Sequence, residues 1–115
     1  MNVQPAHGFR MTPLKFRWPT DEIEALCRRW KIARLELFGS AVRDDFRPDS
    51  DIDLLVTYEP DDPWGLFDFM DMREEISEIV GRKVELVERE AVKENPNRFI
   101  RKAILESARV VYESR

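Results

Sequence analysis

The sequence predicts a single small α/β (α+β) domain, a β-sheet flanked by helices, and two observations predict it. Short apolar runs with strand character recur at 34–38, 52–58, 81–87 and 109–112, and segments of helical period stand before, between and after them. The order strand, helix, strand across 52–87 also favours a parallel pair joined by a crossover, because parallel neighbours cannot be linked by a tight turn.

Met1 to Pro19 reads as an N-terminal tail or extension. Pro5, Gly8, Pro13 and Pro19 break any regular period, and Phe9, Phe16 and Trp18 are open to packing on the domain, packing on a partner, or staying poorly ordered. The domain proper spans 20–115. Thr20 with Asp21 and Glu22 opens a helix whose Ile23, Leu26, Cys27 and Trp30 share a stripe, which makes Cys27 a core residue. Arg34–Phe38 is the first strand, and Gly39-Ser40 turns the chain into a short polar stretch that can open a helical turn. The second strand, Ile52–Tyr58, is apolar on both faces and so buried. An acidic, proline-bearing loop from Tyr58 to Pro63 leads into a helix over Trp64–Val80, with Pro63 at the first helical position and Gly81 closing it. Leu66, Phe69, Met70, Ile76 and Ile79 form its expected apolar stripe. The third strand lies in Gly81–Val87, a last helix starts at Asn95-Pro96-Asn97 and runs through Ile100, Ala103 and Ile104, and Arg109–Tyr112 closes the sheet.

Composition limits the functions available. With 115 residues there is one core and no room for a separate substrate-recognition domain of ordinary size. A net charge of -4 with 37% charged residues disfavours broad binding to nucleic acid, and direct nucleic-acid contact is not expected. One cysteine excludes an internal disulfide, and with His7 the lone histidine no zinc site of ordinary composition is available. No apolar run approaches a membrane span and no signal-peptide segment opens the chain, so a cytoplasmic setting without membrane contact is expected.

The candidate chemistry lies where Gly39-Ser40 is followed, after ten residues, by Asp51-Ile52-Asp53. Glycine lets the backbone turn sharply and lets a phosphate approach the main-chain amides, while the serine hydroxyl adds a donor. Arg43 can offer a fork of donors to the same phosphates, or be a surface charge. Asp51 and Asp53 point the same way from the opening of a buried strand, where their mutual repulsion invites cations. A turn cap leading into a strand is the plainer reading of an isolated Asp-x-Asp. A calcium loop does not fit, since Leu54 replaces the required glycine and Pro60 the closing glutamate. In the third strand Val84 and Leu86 take one face, which leaves Glu85 the other; if the strands run parallel, Glu85 neighbours the aspartates. Taken alone it is equally an exposed strand carboxylate.

Gly39-Ser40-Ala41-Val42-Arg43, with Ser50-Asp51-Ile52-Asp53-Leu54-Leu55-Val56 after it, resembles the nucleotidyltransferase signature of the polymerase beta superfamily. In its brevity the chain resembles the minimal nucleotidyltransferases, the MNT-type antitoxins that pair with HEPN-domain toxins, over roughly residues 20 to 113. The resemblance implies the nucleotidyltransferase fold with a mixed sheet, Gly39 and Ser40 on the triphosphate, and Asp51, Asp53 and a third carboxylate as metal ligands and catalytic groups. Glu85 is the matching third position, one methylene longer than the aspartate usual there. Two Mg2+ ions, ATP as substrate and a HEPN RNase toxin as partner are implied, with AMP passing to a toxin hydroxyl, a tyrosine, and silencing it. The alternative is an antitoxin of weak or no activity that neutralises the toxin by binding alone.

Overall fold

A computed structural model describes residues 16–43, 47–61 and 63–114. His7, Phe9 and the rest of the expected tail up to residue 15 lie outside the described residues. The elements run α1 (Thr20–Arg29), β1 (Ile32–Phe38), a short 3-10 turn (Gly39–Val42), β2 (Ile52–Tyr58), α2 (Leu66–Val80), β3 (Val84–Glu88), α3 (Arg89–Lys93), α4 (Arg98–Ser107) and β4 (Arg109–Glu113). The sheet order is β3-β2-β1-β4. β1 is antiparallel to both β2 and β4, and β2 is parallel to β3, so the sheet is mixed and α2 is the crossover.

Alternation along the strands sorts the two faces. Leu35, Leu37, Ile52, Leu54 and Val56 are buried and join Ile23, Leu26 and Cys27 of α1 with Met72 and Ile76 of α2 in one core. Burial pushes the Cys27 thiol well above its ordinary range, as expected of an inert core cysteine. Trp18 is 3% exposed and belongs to this core, and Phe16 packs on it, so these two aromatics of the expected tail lie on the domain.

Two expectations for α2 are corrected. The helix starts at Leu66 rather than at Pro63, because Gly65 adopts extended backbone and the Asp68 carboxylate accepts its N–H at 2.9 Å. Met72 and Ile76 are the buried pair, with Phe69, Ile79 and Val80 half-buried beside them, while Leu66 and Met70 are 71% and 43% exposed. Met70 and Met72 lie two positions apart, about 200° around a helix, so burying one turns the other outward. The expected caps hold elsewhere: Gly81 closes α2 at φ +77°, and the Asn97 side chain accepts from Phe99 and Ile100 N–H at 3.0 and 3.2 Å to open α4. α3 was not anticipated; its Arg89 donates to the buried Glu36 carboxylate on β1 at 2.9 Å.

Polar contacts rim the apolar seam between α1 and α2. Arg29 grips Glu75 with two donors at 3.2 and 2.6 Å, and the Trp30 indole N–H reaches the same carboxylate at 2.8 Å. Trp64 donates to the Trp30 carbonyl, and the two rings meet edge to face at 5.0 Å. Among the described residues no helix is long and apolar enough to cross a membrane.

Candidate active site

β1 ends at Phe38 and the chain reverses through Gly39 at φ +69°, in the left-handed region where a side chain is strained. A Cβ on Gly39 would lie 2.3 Å from Asp53 Oδ2, so glycine is required here both for the turn and for room beside the aspartate. The 3-10 turn is closed by the Arg43 N–H donating to the Ser40 carbonyl at 3.0 Å. Ser40 is half-buried, and Arg43 lies close enough to Asp53 to favour its ionised form.

β2 brings in the aspartates. Asp53 pairs with Phe38 across the antiparallel ladder and with Glu85 across the parallel one, so the glycine turn, Asp53 and Glu85 are neighbours on three consecutive strand ends. Asp51 sits just before β2, where the Ile52 N–H donates to the Lys83 carbonyl at 2.9 Å and ties the two strand openings together. The loop before Asp51 is held too: Arg82 donates to the Ser50 carbonyl at 3.1 Å, and the Ser50 hydroxyl accepts the Arg47 N–H at 2.9 Å. A cleft of about 600 Å³ beside Glu85 is lined by Arg73, Ser77, Arg82 and Lys83 among others.

Acidic and basic groups meet at this end of the sheet. Burial pushes the Asp53 carboxyl above its ordinary range, and repulsion from Asp51 and Glu85 adds to that, while Arg43 opposes it. Lys83 stands 3.5 Å from Glu85 Oε1 and 3.9 Å from Asp51 Oδ2. Asp53 and Glu85 are register partners and Asp51 stands two residues before Asp53, yet among the described residues no three acidic side chains draw together into a cluster that could hold a metal as they stand. The donor set still fits magnesium, a hard cation taken by oxygen ligands through a few carboxylates plus phosphate oxygens. Asp51, Asp53 and Glu85 would hold it.

Lys83, Arg82 and the pair Glu36–Arg89 were not singled out from the sequence. A signal for Lys83 was present, since it lies two positions before Glu85 and so on the same side of the strand. Glu36, a charge between Leu35 and Leu37 in a buried strand, needs a partner, but nothing local says that it is Arg89.

The family model for the nucleotidyltransferase domain matches residues 22–111. A Methanocaldococcus jannaschii protein classed as a candidate protein adenylyltransferase is 35% identical over 82 residues, 70% of this chain and 78% of the relative. In fold the chain is similar to a toxin–antitoxin structure determined with AMP-PNP, at TM-score 0.62 and 17% identity over 85% of this chain and 76% of that one. It is similar as well to a Shewanella oneidensis complex of a tri-AMPylated HEPN toxin with an MNT antitoxin, at TM-score 0.55 and 16% identity over 83% of this chain and 70% of that one. On the family match and the Methanocaldococcus jannaschii relative, the chain belongs to the nucleotidyltransferase domain family.

Proposed function

We propose that this protein is an antitoxin that transfers AMP from ATP to a hydroxyl, a tyrosine, of a HEPN-domain RNase toxin and so silences it. The observation that carries the reading is the register that sets Asp53 directly beside Glu85 while its carboxylate fills the space left by Gly39. A polyphosphate gripped by the turn then lies next to the acidic groups that chemistry at its alpha phosphorus requires.

Gly39 and Ser40 receive the triphosphate through main-chain amides and the hydroxyl, and Arg43 adds positive charge from the end of the turn. Asp51, Asp53 and Glu85 would hold two magnesium ions, which when bound supply charge neutralisation for the attacking and departing oxygens. Glu85 accepts the proton of the acceptor hydroxyl. The hydroxyl oxygen bonds to the alpha phosphorus, the bond to the bridging oxygen of the beta phosphate breaks, and pyrophosphate leaves. Apolar surface is available for a protein partner: α4 buries none of its side chains, Phe99 is 72% exposed, and Phe67 at the start of α2 is 79% exposed. The relative classed as an adenylyltransferase and the toxin–antitoxin complexes of the same fold support the reading.

The test is mass spectrometry, of the intact protein and of its peptides, on a HEPN-domain toxin co-expressed and co-purified with this protein, after incubation with ATP and magnesium. A mass increase by whole AMP units, mapped to a tyrosine by peptide fragmentation, is expected. An unmodified toxin that is nevertheless neutralised would favour binding alone, the second reading, for which the longer Glu85 arm and the open spacing of the carboxylates speak.

A further inference from the structure

Lys83 has its backbone fixed at the mouth of the candidate site and its charge directed into it. Its carbonyl accepts from the Ile52 N–H at 2.9 Å, which pins it beside Asp51 at the opening of β2. Its ammonium lies between a carboxylate of β3 and one just before β2, at 3.5 Å to Glu85 and 3.9 Å to Asp51, while its side chain stays 71% exposed. The preceding Arg82 turns instead to the carbonyls of Ser50 and Arg47, so the two neighbouring cations divide the labour of holding the loop and facing the acidic pair. An ammonium on a flexible four-carbon stem, with most of its surface in water, leaves without dismantling packing.

Resting on the metal reading above, we propose that Lys83 is a positioning residue which occupies the cation place between Asp51 and Glu85 until a divalent ion displaces it. In the metal-free protein the ammonium offsets repulsion between the carboxylates. Loading the site then requires exchange of one cation for another, and Lys83 sets the metal concentration at which the site fills. The same group that steadies the empty site therefore weakens its first metal contact.

Titration of the full chain with Mn2+ alone, read as loss of the free Mn2+ electron paramagnetic resonance signal, tests this. Lys83→Met is expected to bind Mn2+ about fivefold tighter than the wild type, the factor that corresponds to losing exposed ion pairs of this kind. Lys83→Arg, which restores the charge, should return to within about twofold of the wild type. Lys93→Met, which removes an equal charge from the Lys93–Glu90 pair on α3, should leave the affinity unchanged. Equal or weaker binding by Lys83→Met, tightening by Lys93→Met of the same size, or an arginine variant that behaves like the methionine one would overturn the proposal while leaving the metal reading in place. A wild-type protein that takes up no Mn2+ would overturn both.

Discussion

Two acidic regions of this small domain are built in opposite ways. At the α1–α2 seam Glu75 accepts from Arg29 and Trp30, and those bonds hold its carboxyl below the ordinary range. At the sheet edge Asp53 is pushed above the ordinary range by burial and by its acidic neighbours. The seam spends its polar groups on one another and joins two helices. The sheet end gathers Asp51, Asp53 and Glu85 beside a left-handed glycine, with Lys83 against two of them, an arrangement that suits the proposed reception of cations and polyphosphate.

The sharpest way to break this contrast is to remove the edge charges. Asp51→Asn with Asp53→Asn is expected to lower AMP transfer by roughly a thousandfold or more, while the metal-free protein stays folded and melts no lower than the wild type. Transfer assays and thermal unfolding of the same preparation check both halves. Next in size is Gly39→Ala, whose methyl would fall on the Asp53 carboxylate at a backbone angle unfavourable to alanine. About 1–2 kcal/mol of stability and on the order of a hundredfold in transfer should be lost, measured by urea denaturation and by initial rates. Glu85→Ala should abolish transfer and Glu85→Asp should keep or raise it; equal rates for wild type and the alanine variant would remove Glu85 from the site.

The smallest effects have opposite signs at the two regions. Glu75 has a depressed pKa, so its contribution is present above the unfolded carboxylate value of about 4.3 and is lost as pH falls through the folded value. Glu75→Gln should therefore lower the melting temperature by a few degrees at neutral pH, with the difference fading in acid, and leave transfer intact while folded. Asp53 has a raised pKa, so its contribution is present below about 3.9 and is lost as pH rises through the folded value. Asp53→Asn should raise the melting temperature slightly at neutral pH, an advantage that disappears near pH 4; water screening of the half-open edge keeps the gain to a few degrees at most. Melting curves of both variants across that pH range check the signs.

Much of the edge was legible in the sequence because its geometry is local or topological. A strand, a helix and a strand in succession imply a parallel crossover, and the register of that pair sets Glu85 beside Asp53, while Asp51 precedes the strand. Gly81 and Asn97 announced helix ends through chemistry carried by single residues. Met72 was missed as a core residue because Met70, on the opposite side of the same turn, carries an equal hydropathy signal. Arg89 and Glu36 are 53 positions apart, and the Arg29–Glu75 link spans 46, so no window of sequence contains either pair. That Asp53 lies against Gly39 closely enough to exclude a methyl also depends on how β1 and β2 pair, although the need for a glycine at the turn did not.

The most direct test of the central claim is a crystal grown with AMP-PNP and Mn2+, read by anomalous scattering. The expected result is manganese among the oxygens of Asp51, Asp53 and Glu85, with the triphosphate lying over Gly39 and Ser40. A nucleotide bound elsewhere on the domain, or an ordered triphosphate on the turn with no manganese at those carboxylates, would contradict it.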